Sequence, residues 1–116
     1  MREPEPLTPA VFHILLALTD QERHGYGIIK DVLARTDGKL RLGAGTLYGS
    51  IKRMLESGLI AEAGERSDSG EDERRRYYRL TPKGSSAAES EAQRLERLVS
   101  DARSRKVLPQ LEGVKG

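Results

Sequence analysis

Two stretches of the chain carry side chains suited to gripping phosphates or reading base edges. The first runs Gly45-Thr46-Leu47-Tyr48-Gly49-Ser50-Ile51-Lys52-Arg53, the second Arg74-Arg75-Arg76-Tyr77-Tyr78-Arg79-Leu80. Wound as a helix at about 100° per residue, the first gathers Leu47, Ile51, Met54 and Leu55 on one side. The opposite arc holds Gly45, Thr46, Gly49, Lys52 and Arg53, with Tyr48 and Ser50 on its edges. Hydroxyls and cations suit phosphates, and Lys and Arg also suit guanine edges. Gly49 falls at the centre of that arc, where glycine costs a helix about 1 kcal/mol relative to alanine. Close approach to a groove floor or a phosphate is one reason to keep it, and the helix start offers free amide N–H groups to an anion. A plain amphipathic helix with a solvated polar face accounts for the same pattern, and Glu56 beside that face counts against an anionic partner.

The second stretch reads as a basic strand. If Leu80 points inward, the two-residue period turns Tyr78 and the stem of Arg76 the same way and leaves Arg75, Tyr77 and Arg79 outward. Beside a reading helix, such a strand would hold the flanking backbone or minor groove. The candidate contacts here are Arg74, Arg75 and Tyr77, with Tyr26 at the start of the second helix. The loop before the strand is acidic (Asp68, Glu71, Asp72, Glu73), able to pair with the arginines or to hold the tip off phosphates. The alternative is that the tyrosines finish the core and the arginines keep the edge soluble.

Other chemistries find little support. His13 and His24 are the only histidines, and neither has a carboxylate pair nearby in sequence. His24 is expected to fix the turn before the second helix, and His13 to face an interface or solvent. Lys83, Ser85 and Ser86 lack partners for nucleophilic chemistry, and Gly43-Ala44-Gly45 lacks the lysine and spacing of a phosphate loop. With no cysteine there is no disulfide scaffold, thiolate metal site or thiol sensor. No catalysis, cofactor or metal is expected. The start lacks the pattern of a signal peptide, and the apolar run Ala10 to Leu18 is too short to span a bilayer. A cytoplasmic protein without membrane contact is the expectation. A net charge of +2 is compatible with nucleic acid but decides nothing.

These residues need a scaffold, and the chain supplies one. Of the 26 Leu, Ile, Val and Phe residues, 18 lie between Leu7 and Ile60, so the core sits in the N-terminal half. Residues 1–7 read as a flexible arm. Thr8-Pro9 then starts a helix reaching about Leu18 that is apolar on nearly every side. A second helix runs from about Tyr26 to Arg35, and Leu40-Arg41-Leu42 alternates like a very short strand. The third helix spans about Ala44 to Ser57. Leu59 to Arg66 and Arg74 to Leu80 form a hairpin, and Thr81-Pro82 opens a last helix to about Lys106. The organisation is a winged helix-turn-helix domain at 8–82, a C-terminal dimerisation helix at 83–106 and a frayed tail at 107–116. The fold class is mainly α with a small β-hairpin.

In the last helix Ala88, Ala92, Leu95, Val99 and Ala102 recur at spacings of four and three, with Leu98 beside them, which is a coiled-coil-like seam. Packing this seam on a second copy, and on Leu15 of the first helix, would bury both orphan surfaces. The alternative is a helix folded back on its own domain.

The ordered set of motifs resembles the PadR family of winged-helix regulators, in its short form with a single C-terminal helix. The resemblance covers about Leu7 to Lys106. It rests on Leu7-Thr8-Pro9, His24-Gly25-Tyr26-Gly27-Ile28, Gly45-Thr46-Leu47-Tyr48, Gly58-Leu59-Ile60, Arg76-Tyr77-Tyr78-Arg79-Leu80-Thr81 and Lys83-Gly84. It implies a homodimeric, sequence-specific transcription regulator, usually a repressor, with the third helix in the major groove and the wing alongside. Double-stranded DNA, a second copy of the chain and a small aromatic effector are the partners it implies. A winged-helix module that binds protein instead of DNA is the competing expectation, since fold does not fix function.

Overall fold

A computed structural model describes residues 6–67 and 74–110. The acidic loop residues Asp68 and Glu71 to Glu73, most of the expected arm and the end of the tail lie outside them. In chain order the elements are α1 (Pro9–Ala17), β1 (Arg23–His24), α2 (Gly25–Arg35), α3 (Ala44–Glu56), β2 (Ile60–Arg66), β3 (Arg75–Leu80) and α4 (Pro82–Ser104). This is the expected winged helix, mainly α with a small antiparallel sheet.

Helix starts follow from local chemistry. Thr8 Oγ1 accepts from the Val11 amide at 3.2 Å, and Pro9 sits where its missing N–H costs nothing. His24 Nδ1 accepts from the Gly27 amide at 3.0 Å, which is the turn-fixing part expected of it. Thr81 Oγ1 accepts from the Gly84 amide at 3.0 Å and donates to the Gly58 carbonyl at 2.6 Å, joining the start of α4 to the end of α3. Gly84 is there for room, because any Cβ would run into the Leu59 backbone carbonyl.

Ile14, Leu15 and Ala17 from α1, with Leu18 just after it, meet Ile28 and Val32 of α2, Leu47, Ile51 and Met54 of α3, and Ile60, Tyr78 and Ala88. Each large apolar side chain buried this way contributes about 1.5–3 kcal/mol. The sheet order is β1-β3-β2, so β3 is central. Ile60 pairs with Leu80 and Arg66 with Arg75, and the register slips between Glu62 and Glu65. Gly64 takes up the extra residue at φ +94°, a left-handed backbone that disfavours side chains.

Several expectations need correction. Leu40 to Leu42 form no strand. Leu42 is buried in the core, the Leu40 amide is held by Thr36 Oγ1 at 3.0 Å, and the free edge of β3 is taken by Arg23 and His24 instead. Leu7, expected in the arm, packs on the core and donates its amide to Glu91 Oε1 at 3.2 Å. Glu91 is a buried acid that the seam pattern hid. Hydrogen bonding from Arg94, and the Leu7 amide, hold its carboxyl below the usual range against the opposing effect of burial.

The last helix divides. In its first half Gly84, Ala88 and Glu91 face the chain's own domain, which is the fold-back alternative. In its second half Leu98 and Val99 are 51% and 42% exposed. Leu15 and Ala88, expected at a dimer seam, are 0% and 7% exposed inside the protomer and have little surface to offer a second copy. The reason is that the first turns of α4 lie against α1, so each helix covers the other's apolar stripe within one chain.

Candidate nucleic-acid interface

α3 presents its outward face as the spacing predicts. Leu47, Ile51 and Met54 are buried, whereas Gly45, Thr46, Tyr48, Lys52 and Arg53 are exposed and Gly49 is half-buried. A Cβ at Gly45 would meet nothing within 4 Å, and one at Gly49 would touch only Arg53 Nη1 at an ordinary 3.6 Å. Neither glycine is required by packing among the described residues. α3 also begins at Gly43 without a side-chain cap, unlike α1, α2 and α4, so its first amides point outward unanswered by a side chain.

Ser50 departs from expectation. It is 1% exposed, turned toward the core side of α3, and the Arg53 guanidinium reaches back to its Oγ at 3.5 Å. Its place on the edge of the polar arc let it rotate inward once neighbours closed over it. Tyr48 lies across Gly25, where any Cβ would collide with the phenol ring. That contact explains the glycine opening α2 and sets α3 against α2.

The wing differs more from the sequence reading. Tyr77 and Tyr78 are both buried, at 8% and 5% exposed, so strict alternation fails for Tyr77. Its ring is covered by the Arg66 guanidinium at 4.2 Å and meets His24 edge-on at 5.2 Å. β1 and the end of β2 thus roof the face that would otherwise be solvent. Arg66 also pairs with Glu22, and Arg76 with Glu62 at 3.4 Å. Burial pushes the Tyr78 hydroxyl up, partly offset by nearby Arg76. Arg74 and Arg79 remain exposed and Arg75 half-buried, its Nη1 3.2 Å from His24 Nε2.

A cleft of about 440 Å³ joins these elements, lined by Tyr26 of α2, Tyr48 of α3 and Arg74, Arg75 and Arg76. No carboxylate among the described residues lies within ion-pair distance of Lys52, Arg53, Arg74 or Arg75. The cleft and α3's outward face form one basic surface.

The sequence reading missed what aims α2. Arg23 Nε donates to the Ala17 carbonyl at 2.7 Å and its guanidinium pairs with Asp20 at 3.2 Å and Asp31 at 3.4 Å. Asp31 also holds Arg35 at 2.7 Å, and Arg35 donates to the His13 carbonyl at 3.0 Å. Burial and that guanidinium keep the His13 imidazole below its usual range. Only the opposed charges at Asp20, Arg23, Asp31 and Arg35 hinted at this lock between α1 and α2.

The sequence pattern of the transcriptional regulator PadR-like family matches residues 14–90, which include α2, α3, the wing and the start of α4. The chain belongs to the PadR-like family. Among its relatives, an uncharacterised protein of Lysinibacillus sphaericus is 33% identical over 72 residues, 61% of this chain and 63% of that protein. A PadR family transcription regulator from Clostridium difficile superposes with a TM-score of 0.69 at 26% identity, over 87% of this chain and 100% of that one. Bacillus subtilis PadR, solved with operator DNA, shares the fold at a TM-score of 0.60 and 20% identity, over 97% of this chain and 55% of that one. This PadR-like chain thus spans 63% of the Lysinibacillus relative and just over half of the Bacillus structure. Among its described residues no helix is long and apolar enough to cross a membrane.

Proposed function

We propose that this PadR-like chain binds duplex DNA in a sequence-specific way as a homodimer and represses transcription, with α3 in the major groove and the wing on the flanking backbone. The outward face of α3 carries this reading. Among the described residues its cations have no acid partner and its glycines no packing reason, so the face suits a close polyanionic neighbour. Gly45, Thr46, Tyr48, Gly49, Lys52 and Arg53 form the reading surface, and Tyr26, Arg74 and Arg75 the grip. The operator-bound Bacillus subtilis relative supports the assignment.

If each half of the dimer neutralises about four phosphates, log affinity falls against log salt with a slope of roughly −7. A salt titration of duplex binding measures it. Affinity that stays flat favours a protein partner instead.

Dimerisation is assigned to the second half of α4, where Leu98 and Val99 are exposed beside Leu95, with Ala92 and Ala102 allowing close helix approach. An aspartate at Leu98 or Val99 would bury an unpaired charge in that seam. Sedimentation is expected to show monomers for both variants, with duplex affinity lost in parallel, because half-sites about 34 Å apart need two linked heads. Unchanged dimers would move the interface elsewhere.

A further inference from the structure

A second basic recess lies on the outer side of α2, continuous with the cleft described above. Its volume is about 400 Å³, and its walls include Lys30, Tyr26, Arg75, Arg23 and His24 together with one acid, Asp31. His24, Tyr26 and Arg75 line both recesses, so they form the ridge between them. The Lys30 ammonium stands 5.6 Å from the Tyr26 ring centroid and the Arg75 guanidinium 5.7 Å, both within cation–π range. Two cations are therefore gathered around one ring that is itself 56% exposed. Asp31, the acid on the wall of the recess, is already held by Arg23 at 3.4 Å and Arg35 at 2.7 Å. No carboxylate among the described residues pairs with Lys30 or Arg75. With its one acid shared by two arginines, a recess that also carries Lys30 and Arg75 is net positive, and an anion seated in it offsets the repulsion among those cations.

We infer that this recess is a phosphate subsite, in which Lys30 and Arg75 hold one backbone phosphate of the duplex beyond the stretch lying against α3, with Tyr26 as the spacer between them. The inference rests on the DNA-binding reading and extends it to Lys30, which lies on α2, outside both the reading helix and the wing. A phosphate carries no base identity, so Lys30 adds affinity without preference. The basic track runs from Tyr48 past Arg75 to Lys30, which draws the backbone along the side of α2.

The test compares the parent protein with Lys30→Ala and Lys30→Arg on a duplex selected from random sequence and on its scrambled counterpart, across a salt series. Lys30→Ala is expected to weaken both duplexes by the same factor and to make the salt slope shallower by about one. Lys30→Arg is expected to restore the slope, and all three proteins to unfold at the same temperature, because Lys30 is exposed. A parent that binds duplex steeply in salt while Lys30→Ala keeps the full slope overturns the subsite and leaves the DNA-binding reading standing. A parent that binds no duplex takes both down. Loss of inorganic tripolyphosphate binding in Lys30→Ala, with duplex binding unchanged, would reassign the recess to a free phosphorylated ligand.

Discussion

α3 and β3 border the same cleft and are both rich in cations, yet they commit their side chains differently. On α3 the apolar and polar faces largely separate, and among the described residues its outward cations have no carboxylate partner, while Tyr48 lies across Gly25 and Arg53 reaches back to Ser50. On β3 the side chains are largely occupied. Tyr77 and Tyr78 are buried, Arg76 is paired with Glu62, and Arg75 lies against His24. A helix one face wide leaves its other face free for a partner. A central strand flanked on both edges is covered by what flanks it. The wing is therefore first a structural element that aims two or three arginines, and α3 is the element with a surface to spare.

That contrast predicts that changes in the wing cost stability and changes on α3 cost binding. The largest effect is expected for Tyr77→Ala, which removes a ring packed between Arg66 and His24. Truncating a buried aromatic costs about 3 kcal/mol or more, read as an earlier midpoint in denaturant unfolding. A midpoint equal to the parent's would mean the ring contributes little packing, and would return Tyr77 to the list of surface contacts. A smaller effect of opposite sign is expected at Gly49. Alanine there meets only Arg53 Nη1 at 3.6 Å, so Gly49→Ala should stabilise the fold by about 1 kcal/mol through helix propensity. The same methyl should weaken duplex binding, because it stands where the groove would approach. A variant that is both more stable and equally tight would show that nothing comes close to that face.

The difference between the two elements also explains what could be read in advance. The order of helices, the hairpin, the caps at Thr8 and Thr81 and the division of α3 into two faces depend on neighbours within a few residues. Each was legible from spacing. Tyr77 was not, because its burial comes from Arg66 and His24, far away in the chain. Ser50 sat at the boundary of a polar arc, where a small rotation decides its side. Ala88 matched a seam by period and Leu15 lay on an apolar helix needing cover, and neither signal can say whether the covering helix belongs to the same chain. Glu91 was hidden for a related reason. An acid on a helix reads as solvent-facing until a backbone amide such as that of Leu7 arrives to meet it.

The central claim is that α3 reads sequence while the wing grips backbone, and two arginines separate the parts. Arg53 lies on the exposed face of α3 without an acid partner among the described residues, where a guanidinium could reach a base edge. Arg75 projects from the wing into the cleft, where phosphate contact is natural. The decisive measurement is a competition assay of Arg53→Ala and Arg75→Ala on a preferred and a scrambled duplex at two salt concentrations. Arg53→Ala is expected to lose about 1–3 kcal/mol on the preferred duplex and relax the preference at one position. Arg75→Ala is expected to weaken both duplexes nearly equally and make the salt slope shallower by about one. Equal weakening by Arg53→Ala together with lost discrimination in Arg75→Ala would reverse the two assignments, and no change in either would remove α3 from the groove.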